Sequence, residues 1–336
     1  MQLSTEFITN FSQGKVLAPI PTAEALLEMV TGPDHTILGL LLQANALRRH
    51  YKGNNIFTCS ILNAKSGRCS ENCAFCAQSG HHRTNISVYP LMPKEEIVIK
   101  AKEMAESGSL RFSIVISGFQ PSQAELETIY AAVGMIRSET NLQVCASLGN
   151  LTEDMANCLY QSGVSNYHHN LETARSYFDQ ICTTHSYEED IQSLIIAKEA
   201  GMRVCSGGIM GLGESWAQRM ELALTLKELG VDSIPMNFLN PIAGTPFETR
   251  PLLSPMAALK CIALFRIINP EKEIVVCGGR EVTLKDYQSW VFLAGASGLM
   301  IGNYLTTCGR DIDADMSMIF QQGLSNRLAD INTENL

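Results

Sequence analysis

Three cysteines, Cys69, Cys73 and Cys76, stand in the spacing C-x3-C-x2-C, with the aromatic Phe75 directly before the last of them. Three thiolates this close on a loop can hold three corners of an iron–sulfur cube and leave the fourth iron open to a small molecule. With 11 cysteines in 336 residues, this spacing arises by chance on the order of once in 100 such chains. Two plainer readings stand beside it. His81 or His82 could complete a Cys3His zinc site, although closed zinc sites usually take their ligands as two separated pairs. The thiols could also be unrelated and buried, although Gly67, Asn72 and Gly80 mark the stretch as a loop.

The elements that must position this loop follow from hydrophobic periodicity. A lead-in over residues 1–20 precedes a short helix capped by Thr22 and running to about Val30. A second helix is predicted over about 37–51, with Leu38, Leu41, Leu42 and Leu47 on one side. From there the chain alternates. Strands are predicted at 56–62, 111–117, 142–148, 165–171, 202–208, 232–238, 273–278 and 298–302. Helical patterns lie between them at 94–106, 123–138, 153–162, 188–200, 215–229, 255–268 and 284–294, several ending at a glycine such as Gly163, Gly201 or Gly230. Eight such repeats argue for an α/β fold of the (β/α)8 TIM-barrel type with a short N-terminal helical extension. The expected organisation is an extension over 1–52, a barrel over 53–325 and a C-terminal tail over 326–336.

In such barrels the chemistry sits at the C-terminal ends of the strands. The unusual residues fall there: Arg111 and Ser113, Cys145, the run Tyr167 to Thr173, Cys205 leading into a Gly-rich turn, Asn237, and Cys277 through Glu281. Polar and thiol groups inside a barrel are costly unless they bind something. Taken singly, Cys145 and Cys205 also read as small buried hydrophobes, and Asn170 and Asn237 as turn caps. Cys158, Cys182, Cys261 and Cys308 read as inert, and the facing of Cys59 is open.

Composition bounds the class. The chain is 46% apolar and 18% charged, which suits a globular protein with a substantial core. A net charge of −9 and the lack of a basic run argue against a nucleic-acid partner. The N-terminus carries no apolar signal region, and the longest apolar run, 37–42, is too short to span a bilayer. An odd, irregular set of cysteines fits a reducing cytoplasm better than a disulfide framework.

The cysteine loop resembles the signature of radical S-adenosylmethionine enzymes, and about residues 40–325 resemble the biotin synthase family within them. The matching pieces are the loop, NLET at 170–173, TTHSYEED at 183–190, CSGGIMGLGE at 205–214, SIPMNFL at 233–239 with GTP at 244–246, and GGRE at 278–281. The resemblance implies a homodimeric barrel that binds a [4Fe–4S] cluster through Cys69, Cys73 and Cys76. S-adenosylmethionine would chelate the open iron and yield a 5′-deoxyadenosyl radical on one-electron cleavage. That radical would abstract hydrogen from dethiobiotin, and sulfur from an auxiliary cluster in the barrel would close the biotin ring. It further implies an electron donor such as flavodoxin or ferredoxin.

Carried over residue by residue, Phe75, Ile209 and Leu212 match adenine-contacting positions, and Glu172 matches the acid that grips the ribose. Asn170 and Asn237 match asparagines that in the family face the adenosyl group and the ureido ring of dethiobiotin. Cys145, Cys205 and Arg280 match ligands of the second cluster. Three departures stand out. Ser113 replaces the third cysteine of that cluster, His168 replaces a substrate-binding asparagine, and Asp190 replaces an arginine that commonly helps hold the methionine carboxylate. Cys277 stands where the family usually has serine. The paired exchange points to a displaced auxiliary cluster on Cys145, Cys205 and Cys277, either a four-iron, sulfide-bearing type or the usual [2Fe–2S]. Other enzymes of the hydrogenase-maturase and methylornithine-synthase branch, and a non-catalytic iron–sulfur carrier, are the competing readings.

Overall fold

A computed structural model describes residues 18–327. Most of the expected lead-in and the last part of the expected tail lie outside the described residues. Two helices come first, α1 (Ala23–Thr31) and α2 (Ile37–Lys52), the former capped by the Thr22 hydroxyl as its sequence predicts. The buried stripe of α2 is Ile37, Leu40, Leu41, Ala44, Leu47 and Arg48. Leu38 and Leu42 point outward instead, because the i, i+3, i+4, i+7 stripe passes between them.

The chain then alternates strand and helix: β1 (Asn55–Lys65), α3 (Lys94–Glu106), β2 (Arg111–Ile116), α4 (Gln123–Glu139), β3 (Gln143–Ser147), α5 (Glu153–Ser162) and β4 (Asn166–His168). It continues with α6 (Tyr187–Glu199), β5 (Arg203–Cys205), β6 (Gly208–Met210), α7 (Trp216–Glu228), β7 (Ser233–Phe238), α8 (Pro255–Ile268) and β8 (Glu273–Val276). Short helices α9 (Arg280–Leu284) and α10 (Trp290–Leu293) precede β9 (Gly298–Met300). The helix predicted over 284–294 is therefore broken, at Lys285, whose φ of 49° leaves the helical region. Two further elements, α11 (Ile312–Gln321) and β10 (Ser325–Asn326), escape the sequence pattern. Because β10 pairs with the start of β1, residue 326 belongs to the sheet and not to a free tail.

All pairings are parallel, in the order β1-β2-β3-β4-β5-β7-β8-β9, and β9 pairs back with β1 to close the barrel. The strands β5 and β6 are one interrupted strand: Cys205 pairs with Ser233 and Gly208 with Met236 at the same offset on β7. Helix starts are set locally. Ser122, Ser186 and Ser215 each form a capping box with the residue three positions on. Both faces of the strands are covered, so β2 is buried along its whole length. Helix α8 is buried from Ala258 to Ile268, since it lies between the barrel and α2.

Candidate active site

Strand alternation builds the site. Phe57, Cys59 and Ile61 on β1, Arg111, Ser113 and Val115 on β2, Cys145 and Ser147 on β3, and Ser233, Pro235 and Asn237 on β7 are spaced two apart and share one face. With residues from β4, β5 and the β8 end they line a cavity of 440 Å³, a size that suits small-molecule ligands. Seven of the 11 cysteines line it: Cys59, Cys69, Cys73, Cys76, Cys145, Cys205 and Cys277.

The loop after β1 brings three of these to the C-terminal mouth. It turns sharply at Gly67 (φ 79°) and at Arg68, a non-glycine residue held at φ 51°. The Ser117 hydroxyl donates to the Gly67 carbonyl, and the Cys69 amide donates to the Gln78 carbonyl. Cys69, Cys73 and Cys76 all face the cavity beside Phe75. Burial pushes the Cys76 thiol up to about 11. Cys73 is pushed up by its hydrogen bond to Cys182, 3.8 Å away, and by burial. Such thiols become ligands only where a metal offsets their charge. Neither histidine of the zinc reading faces these thiols: His81 bonds the Ser70 carbonyl and His82 the Cys73 carbonyl.

The other four thiols lie on β1, β3 and β5 and, for Cys277, directly after β8. Cys59 packs against the cluster of Phe57, Val275 and Cys277, and the Cys277 thiol donates to the Val275 carbonyl at 3.6 Å. Cys205 lies 3.4 Å from His168 Nδ1. Burial pushes Cys145 and Cys205 each up to about 12, and the Arg111 guanidinium pulls both back. Arg111 is itself held by Gln143 at 2.9 Å and stacks over the Phe57 ring. Ser113 faces the same space, and its hydroxyl has no hydrogen-bond partner. The Asn166 amide nitrogen is likewise unpartnered. Clustered soft donors and orphaned polar atoms facing one cavity fit an iron–sulfur group.

Along the walls, β4 ends at His168 and the chain turns through Asn170 to Glu172, which adopts φ 60°. The Asn170 carboxamide accepts from the Gly207 amide at 3.1 Å and donates to the Glu172 carboxylate. Burial raises the Glu172 carboxyl to about 8. Ile209 on β6 faces the cavity, its amide held by the Glu172 carbonyl. Asn237 accepts from the Gly278 amide at 3.0 Å. Burial lowers His168 to about 4, so its ring is neutral at pH 7.

Two expected site residues face elsewhere. Leu212 is fully buried in the hydrophobic core and does not line the cavity, because Gly211 and Gly213 (φ 99° and 111°) redirect the chain after β6. Arg280 does not line it either. Gly279, at φ 77°, starts α9 and turns the guanidinium to Asp315 on α11 and to Gln288. Cys277, still continuing the inward alternation of Val275, stays on the cavity face. Asp190, in place of the expected arginine, is bonded by His169 at 2.7 Å and approached by His185 at 3.5 Å.

The sequence reading missed three participants. Cys59 faces inward, Cys182 meets Cys73, and His185 bonds both Glu71 and Asp190. Their only local signal is the TTHSYEED segment around His185. Cys158 and Cys308 are exposed, and Cys261 is buried within α8.

A closed parallel barrel with three loop thiols at its C-terminal mouth defines a radical S-adenosylmethionine enzyme. The family model described as Radical SAM superfamily matches residues 64–237, and the Biotin and Thiamin Synthesis associated domain matches 235–325. The chain is 58% identical over 318 residues to biotin synthase of Syntrophus aciditrophicus, covering 94% of this chain and 98% of that one. It is 51% identical over 303 residues to biotin synthase of Nitratidesulfovibrio vulgaris (strain DP4), covering 90% and 84%. It belongs to the biotin synthase family. Among solved structures, a methylornithine synthase superposes with a TM-score of 0.81 at 18% identity, covering 96% of this chain and 97% of that one. An FeFe-hydrogenase maturase from Carboxydothermus hydrogenoformans gives 0.76, also at 18%, covering 95% and 78%. These two share the fold, and the sequence relatives favour biotin synthase over that branch.

Proposed function

We propose that the chain inserts sulfur into dethiobiotin to form biotin, with the loop thiols and the barrel thiols serving separate iron–sulfur groups. One observation carries this: a single cavity lined by three cysteines of the loop and by four more on, or directly after, the barrel strands. Cys69, Cys73 and Cys76 would hold a [4Fe–4S] cluster, which would supply the electron for reductive cleavage of S-adenosylmethionine.

The chain's own residues position and protect. Phe75 and Ile209 offer apolar walls for the adenine, and Asn170 holds Glu172 towards the ribose. His168 and Asn237 offer polar contacts to the ureido ring, the former as a neutral imidazole. Tyr304 and Leu305, on the segment after β9, help line the cavity, and a dry cavity protects a carbon radical from quenching. The auxiliary cluster is assigned to Cys145, Cys205 and Cys277. Arg280, held by Asp315, is close enough to lower the Cys277 thiol as a positive charge, against the larger upward effect of burial. A homodimer in the cytoplasm, reduced by a flavodoxin or ferredoxin, completes the reading. Among the described residues no helix is long and apolar enough to cross a membrane.

The test is anaerobic reconstitution with iron and sulfide counting and Mössbauer spectra, followed by S-adenosylmethionine, reductant and dethiobiotin. About eight irons with cubane signatures and biotin formed support a displaced four-iron auxiliary cluster. About six irons with a two-iron component mean that the smaller cluster survives. About four irons, with 5′-deoxyadenosine but no biotin, sink the reading.

A further inference from the structure

The auxiliary site proposed above counts three thiols, yet the strands present four to the same space. Cys59 occupies an inward position of β1, between Phe57 and Ile61. It packs against the small cluster formed by Phe57, Val275 and Cys277. Cys145 and Cys205 line the same cavity. The sheet register explains why Cys59 is in reach. Ile61 on β1 pairs with Ser113 on β2, and Ser113 pairs with Cys145 on β3. Cys59 is thus on the strand next to Ser113, one inward step closer to the strand start. The thiol absent at 113 has a neighbour on the adjoining wall.

Ligand count and charge point the same way. Two-iron and four-iron clusters both commonly take four protein ligands. Arg280 is unsuited to be the fourth, because its guanidinium is ion-paired with Asp315 and faces away from the cavity. Four buried thiolates require iron and a compensating cation, and Arg111, the β2 partner of Cys59, lines the cavity beside them.

We infer that Cys59 is a ligand of the auxiliary iron–sulfur cluster, completing a four-thiolate set with Cys145, Cys205 and Cys277. This rests on the reading that the barrel holds an auxiliary cluster at all.

The experiment compares the full-length parent with Cys59→Ala, Cys59→Ser and Cys145→Ala after anaerobic reconstitution. Iron and labile sulfide are counted per chain, and Mössbauer and electron paramagnetic resonance spectra are taken. Retention of the loop cluster, about four irons, shows that each variant is folded. The expected result is that Cys59→Ala loses its auxiliary iron, as Cys145→Ala does. Cys59→Ser, close in volume to the parent, either loses that iron or shows one altered iron site from an oxygen ligand. Parent-like iron and spectra in Cys59→Ala, with loss in Cys145→Ala, overturn the inference and leave the auxiliary cluster standing. Should Cys59→Ala fail to fold, a parent-like spectrum in Cys59→Ser overturns it equally. A parent with only the loop cluster's iron overturns the underlying reading and Cys59 with it.

Discussion

The sulfurs of Cys73 and Cys182 lie 3.8 Å apart, joining the cysteine loop to the turn before α6 across 109 residues of chain. Cys182 is also contacted by His185 Nδ1 at 3.3 Å and by the Thr184 hydroxyl. The hydrogen bond from Cys73, reinforced by His185 and Thr184, pulls the Cys182 thiol down to about 3. One thiol of the pair therefore carries thiolate character beside Cys73, one of the three thiols proposed above to hold iron.

When iron is stripped in air, these two thiols are placed to join as a disulfide. Peptide mass spectrometry of the oxidised apoprotein should find a Cys73–Cys182 link. Cys182→Ala should recover its loop cluster more fully on reconstitution after air exposure. Equal recovery by parent and variant would show that the pair does not trap the apoprotein.

Asp190 is buried between His169 and His185, and removing its charge leaves His185 short of a partner. Burial would lower His185, but Asp190, Cys182 and Glu71 overcome it and raise it to about 11. A histidine with a raised folded pKa contributes stability that is complete below its unfolded pKa, about 6.5, and that fades as pH rises towards 11. Asp190→Asn should therefore cost about 2–3 kcal/mol near pH 6, with the gap narrowing by pH 10. Thermal melts of both proteins across that range check it. A gap independent of pH would show that His185 is not charged by this contact.

Glu172 carries the opposite sign. Its carboxyl is raised to about 8 by burial, so the folded protein loses stability as pH rises from the unfolded value, near 4.5, to 8. Glu172→Gln removes that loss. Without S-adenosylmethionine, its melting temperature relative to the parent should rise between pH 5 and pH 8.5. Its affinity for S-adenosylmethionine should fall, read by equilibrium binding. A flat difference across the pH range would refute the raised carboxyl.

Gly207 is required by close backbone approach. A Cβ there would lie 1.9 Å from the Pro235 carbonyl oxygen on β7. Gly207→Ala should cost about 3 kcal/mol or prevent folding, since neither strand can retreat without breaking the barrel. Gly39, in α2, meets nothing within 4 Å, and Gly39→Ala should instead stabilise by about 0.5–1 kcal/mol. Denaturant melts of the two variants provide the comparison.

Much of the protein is legible locally. The C-x3-C-x2-C spacing, the capping serines and the alternation of strand and helix are short-range patterns, and all eight expected strands appear close to where periodicity places them. Where expectation and structure part, a glycine or a special φ usually intervenes. Gly279 turns Arg280 away, Gly211 and Gly213 bury Leu212, and Lys285 breaks the predicted helix.

The sequence by itself determined the chemistry of the loop and the succession of elements, because spacing along the chain sets which thiols can share an iron and which faces are apolar. Only the tertiary structure decided that Cys59 faces inward with Cys145, Cys205 and Cys277. A parallel barrel strand is buried on both faces, so alternation alone does not tell cavity from helix layer. It also decided that Cys182 meets Cys73 and that Asp190 sits between two histidines. Such contacts join residues far apart in the chain, and closure of the barrel, with β9 returning to β1, is what brings its walls around one cavity.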